Sequence, residues 1–178
     1  MKTNQFSRGF SLVEILLVLG IIAILSIGAF IIFAQVKDSS DANTESQNLT
    51  TIIAGVRNLY GIRADYAGLN TDVVNAASIF PTPMNKGIRT PGQPILHVAA
   101  GEVEVEPWGA LSDRFAVIYN DVPTRLCVKI AQNYGKNVEM VMVGTVIVKS
   151  ATSLGSDPAL STAECNRSDL SVVTFIQK

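Results

Sequence analysis

Gly9-Phe10-Ser11-Leu12-Val13-Glu14-Ile15-Leu16-Leu17-Val18-Leu19-Gly20 opens the stretch that decides the fold. The run from Phe10 to Ala34 is 25 residues long, and 20 of them are apolar. As a helix it rises about 37 Å, enough to cross a hydrocarbon core of about 30 Å. It is the one run of spanning length in 178 residues, so the chain is not a polytopic membrane protein. The nine residues before it carry only Lys2 and Arg8 as charges, and no equal basic cluster follows the run. That asymmetry keeps the N-terminus cytoplasmic and places the remainder outside. A cleaved secretory signal fits less well, because its apolar region spans about 7–15 residues. Here the run continues past Ser26-Ile27-Gly28, its one loose small-x-small site, through Phe33.

Glu14 is the exception inside the run. A carboxylate in a spanning helix is expensive and usually has a partner. No Lys, Arg or His lies between Phe10 and Val36. In the uncut chain Arg8 is close enough to snorkel toward it. If the chain is cut just before Phe10, the new α-amino group, with a reference pKa of about 8, supplies a second cation. A helix cannot easily fold its own N-terminus onto Glu14, whereas a staggered neighbour can offer one. Each buried carboxylate then takes an amine from the next subunit, and Glu14 sets the register.

Outside this run the composition is that of one exported globular domain. The whole chain is 48% apolar, and its charged fraction of 16% is low against a usual value of about 25%. Two cysteines exclude a disulfide-dense mini-protein, and the apolar content excludes a disordered chain. A formal charge of −1 argues against direct nucleic-acid binding, which normally needs a basic excess.

Gly9-Phe10-Ser11-Leu12-Val13-Glu14 and the apolar run behind it resemble the processing site of type IV prepilins. The resemblance implies that a prepilin peptidase cuts between Gly9 and Phe10, and that Phe10 is then N-methylated. It also implies a pilin fold and a role for Glu14 in aligning subunits. Leu17-Val18-Leu19-Gly20-Ile21, Ser26-Ile27-Gly28 and Ala34-Gln35 resemble type IVb pilins of the toxin-coregulated kind. The absence of proline around Ile31 agrees, since many type IVa pilins carry one there. Two features depart from the type IVb pattern: the nine-residue leader is short, and Phe10 is the type IVa choice.

Beyond the run, polar residues dominate 37–48, with no proline, and Leu49, Ile52, Ile53, Val56, Leu59 and Tyr60 then recur at helical spacing. Gly61 is a plausible helix end. The pattern predicts one helix over residues 10–60, about 76 Å long, apolar all round at first and amphipathic later. Gly20 and Gly28 would allow close helix approach or local bending, or are simply tolerated facing lipid. Residues 61–94, rich in Gly, Asn, Thr and Pro, read as a connecting region with one short helix near residues 72–79. Strands are expected over residues 95–99, 103–105, 115–119, 138–149 and 172–176, with helices opening near Pro123 and Pro158. The fold class is α+β: a long N-terminal helix, membrane-spanning in its first half, packed on a small domain with a largely antiparallel sheet. The expected divisions are a leader (1–9), a transmembrane and polymerisation half (10–34), an amphipathic half (35–61) and a globular head (62–178).

Cys127 and Cys165 are the only cysteines, and both fall on the exterior side, where a pair most often forms a disulfide. No CxxC favours redox work and the ligands are too few for zinc. In the resembled family two cysteines close a C-terminal region, which implies the same for residues 127–165. His97, the single histidine, reads as a strand residue at a turn or surface rather than a base. No GxSxG elbow is present. Glu102, Glu104 and Glu106 alternate with Val103 and Val105 and read as a solvated strand face rather than a metal site. Asp157, Glu164 and Asp169 match no calcium-loop spacing. Asn48-Leu49-Thr50 and Asn166-Arg167-Ser168 fit the glycosylation triplet. No catalytic residue, metal or cofactor is implied.

The expected function is therefore a structural subunit, not an enzyme. It would be a type IVb-like major pilin, anchored in the inner membrane with its N-terminus cytoplasmic, then cut and polymerised into an extracellular fibre. Such a fibre would serve adhesion, aggregation or DNA transfer. Its partners would be the prepilin peptidase, identical subunits, the inner-membrane assembly machinery and minor pilins. A minor pilin or a type II secretion pseudopilin is the alternative, and an anchored exported enzyme a remote one. Removal of Lys2 and Arg8 would leave 12 of the 14 basic residues against 15 acidic ones, a formal charge of −3.

Overall fold

The structure is a computed structural model that describes residues 11–134 and 137–178. Gly9 and Phe10, on which the cleavage and methylation expectations fall, lie outside the described residues. Helix α1 runs Leu12–Tyr60 as 49 continuous residues. The chain divides into two compact units, Met1–Lys37 and Asp38–Lys178.

In the first unit the span Leu12–Ala29 is apolar and long enough to cross a membrane, and none of it is buried. Ser11 and Glu14 stand in the S-x-x-E spacing of a capping box, a local reason for a helix to begin here. The Ser11 carbonyl accepts from the Glu14 and Ile15 amides at 3.0 and 3.2 Å, which closes the first turn.

In the second unit α1 buries one stripe: Ala42, Glu45, Leu49, Ile52, Val56 and Tyr60. Their spacing of three and four keeps them on one helix face. The stripe begins two turns earlier than the apolar residues suggest, because Ala42 and Glu45 belong to it. Leu59, expected on this face, is exposed instead. Helix α1 stops before Gly61, and the Arg63 amide then bonds to the Tyr60 carbonyl at 2.8 Å.

Two short helices follow, α2 (Thr71–Ala76) and α3 (Thr82–Asn85). The Asn70 side chain caps α2 by accepting from the Val73 amide at 2.9 Å. Helix α3 lies in the proline-rich stretch where only a connection was expected. Pro81 and Pro83 do not prevent it, because the first turn of a helix needs no amide donors.

The sheet has five strands: β1 (Val103–Trp108), β2 (Arg114–Pro123), β3 (Met140–Val143), β4 (Val146–Lys149) and β5 (Leu170–Gln177). Their spatial order is β1-β2-β5-β3-β4, and every neighbouring pair is antiparallel. Helix α4 (Thr124–Tyr134) lies between β2 and β3 in sequence, and α5 (Pro158–Cys165) between β4 and β5. Phe175 on β5 sits edge-on to Tyr119 and Tyr134, at 5.8 and 5.4 Å between ring centres. These rings join the sheet to α4 in a core that includes the α1 stripe.

Two expected strands take other forms. Residues 138–149 make a hairpin rather than one strand, because Gly144 adopts φ 57° and turns the chain between β3 and β4. Residues 95–99 make no named strand; they hold one isolated bridge, Leu96 to Glu102, and a tight turn. In that turn the His97 amide bonds to the Gly101 carbonyl and the Ala100 amide to the His97 carbonyl, with Ala100 at φ 66°.

Gly55 lies on α1 where a Cβ would meet the Ile79 side chain at 2.4 Å. Gly55→Ala should gain about 1 kcal/mol in helix propensity and lose about 1–3 kcal/mol to overpacking against a β-branched neighbour. The expected net effect is a destabilised head, read as a lower denaturation midpoint. A raised midpoint would contradict the close packing of α1 on this segment.

Candidate assembly surface and the buried polar node

The described part of the apolar span offers little chemistry and a large apolar surface. Its exposed side chains include Leu12, Val13, Leu16, Leu17, Ile24 and Leu25. Glu14 is exposed among them, in the first turn of α1, where the helix dipole favours a negative charge. An added Cβ at Gly20 or Gly28 would meet nothing within 4 Å.

The head is closed covalently. Cys127 on α4 and Cys165 at the end of α5 are both fully buried and disulfide-bonded, with Cα atoms 5.8 Å apart, an ordinary disulfide separation. The bond ties the two helices across the region 127–165. Asp157 caps α5 by accepting from the Ala159 and Leu160 amides, and Glu164 pairs with Arg167 at 3.2 Å. These two acids therefore serve local structure.

Glu104 and Glu106 point to solvent from β1, while Val103 and Val105 are buried, as the alternation predicts. With Glu102 and Asp72 they line a shallow groove of about 380 Å³ beside this edge strand. Among the described residues no group of three or more His, Cys, Asp or Glu is placed to hold a metal ion. Asn48 is buried and its amide donates to the Glu45 Oε2 at 3.3 Å, so the first glycosylation triplet is closed in the folded protein. Asn166, in the second, is exposed at the C-cap of α5.

The least expected grouping surrounds Glu45. This carboxylate is 1% exposed. Its Oε1 accepts from the Val98 amide at 2.7 Å, which fastens α1 to the 95–101 turn. Tyr134 of α4 donates its hydroxyl to the Glu45 backbone carbonyl at 3.1 Å. Tyr119 of β2 is fully buried, with its hydroxyl beside the Glu45 carboxylate. Burial pushes the Glu45 carboxyl above its ordinary range, against the opposing pull of the Val98 amide, Asn48 and His97. Burial likewise raises the Tyr119 and Tyr134 hydroxyls.

His97 is buried in this node rather than at the surface. Its Nε2 lies 2.8 Å from the Asn120 carbonyl and its Nδ1 accepts from the Ala99 amide at 3.1 Å. A carbonyl needs a donor and an amide needs an acceptor, so Nε2 donates here and Nδ1 accepts. Gly101 is obligatory beneath it, since a Cβ there would meet the Asn120 carbonyl oxygen and His97 Nε2 at 2.1 and 2.3 Å. The sequence held a signal for Glu45: it stands four residues before Leu49, on the buried stripe.

A membrane-length apolar helix continuing into a disulfide-closed α+β head defines the class, a type IV pilin of the IVb-like kind. The comparisons agree. The family described as "PilS N terminal" matches residues 39–178, and the prokaryotic N-terminal methylation motif matches residues 5–30. The chain belongs to the PilS N-terminal family. It is 23% identical to the major structural subunit of bundle-forming pilus of Escherichia coli O127:H6 (strain E2348/69 / EPEC). That alignment covers 100% of this chain and 98% of the relative, and the same figures hold for the subunit of Escherichia coli O111:H-. The fold is similar to the type IV b pilin from Salmonella typhi, with TM-score 0.57 and 18% identity over 75% of this chain and 97% of that one. It is also similar to TcpA, a type IV pilin from Vibrio cholerae El Tor biotype. There the TM-score is 0.56 and the identity 12%, over 78% of this chain and 99% of that one. Family and fold are those of structural subunits, not of enzymes.

Cys127→Ser should lower the stability of the head by about 4 kcal/mol, the chain-entropy value for a loop of this length. Denaturation midpoints in oxidising and reducing buffer check it. Equal midpoints in the two buffers for the unsubstituted protein would contradict a stabilising disulfide.

Proposed function

We propose that this protein is the major subunit of a type IVb-like pilus. It is made with residues 10–34 in the inner membrane and its N-terminus in the cytoplasm. A prepilin peptidase removes residues 1–9, and Phe10 becomes the methylated N-terminus. Identical subunits then polymerise through their apolar helices, with the inner-membrane assembly machinery and minor pilins. The observation that carries this reading is the wholly exposed apolar span in a chain whose head has its own closed core. Such a span needs lipid or other helices around it. Moving from lipid into a helix bundle exchanges one apolar environment for another, so packing and polar pairing decide the gain.

Glu14 supplies that pairing. Its carboxylate takes the α-amino group of Phe10 from a neighbouring subunit, and register follows from one amine per carboxylate. The head, residues 62–178, faces outward in the fibre, and the disulfide-closed region 127–165 carries lateral contacts.

Glu14→Ala should leave leader removal and export intact and abolish fibres. Immunoblotting reports the processed subunit, and electron microscopy of the cell surface reports fibres. Normal fibres in this variant would sink the alignment role. An uncut subunit would instead place Glu14 in recognition by the peptidase.

A further inference from the structure

Glu45, His97 and Tyr119 form a polar node inside a core that is otherwise largely apolar. The groups facing Glu45 come from each element packed there: Asn48 on α1, His97 in the 95–101 turn, Tyr119 on β2 and Tyr134 on α4. No lysine or arginine among the described residues contributes to its environment. His97 stands beside it, but its two ring nitrogens bond to the Asn120 carbonyl and the Ala99 amide rather than to the carboxylate. An ionised Glu45 thus rests on the Val98 amide and the Asn48 side chain, with the Tyr119 hydroxyl and His97 ring beside it, in a site closed to water. A protonated Glu45 keeps the Val98 bond and removes the buried charge.

We propose that this node is a proton-operated latch: Glu45 with its proton seats α1 firmly on the 95–101 turn, and its ionisation loosens that seat. The latch belongs to the folded subunit and holds whether or not the subunit polymerises. Burial raises the Glu45 carboxyl, so the folded state holds this proton more tightly than the unfolded chain. Stability from this group is therefore greatest at the acid end and declines as pH climbs out of the ordinary carboxylate range. The decline ends once pH passes the raised value. Inside that window the unfolding equilibrium shifts about tenfold per pH unit. The seat is tighter in acid and weaker toward neutrality.

Glu45→Gln keeps the acceptor for the Val98 amide and cannot ionise. The test compares full-length protein with this variant in detergent, by chemical denaturation at a series of pH values. The variant should gain on the unsubstituted protein as pH rises through the window, with the gap steady on either side. A gap independent of pH would overturn the latch. The second measurement follows carboxyl carbon shifts by NMR in the unsubstituted protein, and decides the matter if the variant fails to fold. Glu45 should titrate above the ordinary carboxylate range. Titration within the ordinary carboxylate range would overturn the proposal.

Discussion

Leu12–Ala29 is a helical span with no buried residue, and water is a solvent that such a surface cannot occupy. Everything else about the chain answers that constraint. The head must fold while attached to a segment too apolar to be stable in water. It therefore carries its own core, its own disulfide and a sheet whose strands are all paired within the unit. One continuous helix serves both demands by changing its pattern along its length. Apolar residues surround it at first, and past Asp38 only the stripe from Ala42 to Tyr60 is buried.

The two carboxylates of α1 show how environment assigns roles. Glu14 sits in the first turn on an exposed apolar surface, and in the proposed assembly its partner is the Phe10 amine of a neighbouring subunit. Glu45 is enclosed, and its partners are already present: the Val98 amide, the Asn48 amide and the neighbouring tyrosines and histidine. The first is the one proposed to join copies of the chain. The second joins one element of the head to another, at the expense of keeping a titratable group out of water.

Much of this was legible in the sequence, for physical reasons that differ by region. The long helix was readable because an apolar run and a later stripe at helical spacing flank residues 37–48, with no proline between them. Strands β2 and β5 and helices α4 and α5 were readable from apolar runs bounded by Pro, Asn and Ser. The hairpin at Gly144 was missed because two apolar runs flank it closely, although a glycine at such a break is itself a turn signal. The 95–101 turn was missed because Ile95 and Val98 look like strand residues, whereas a tight turn and the Glu45 carboxylate take up their backbone groups. Glu45 was overlooked among polar neighbours, since composition there gives no hint of burial and only its phase relative to Leu49 does. Pairing of Cys127 with Cys165 needed only the count of cysteines and the side of the membrane.

The central claim is that the apolar span is cut free of its leader and becomes the core of a fibre. Electron microscopy of material sheared from the cell surface, with N-terminal sequencing of its main subunit, tests this most directly. Abundant fibres whose subunits begin at a methylated Phe10 are the predicted result. Surface material lacking fibres, or subunits that retain Met1–Gly9, would contradict it.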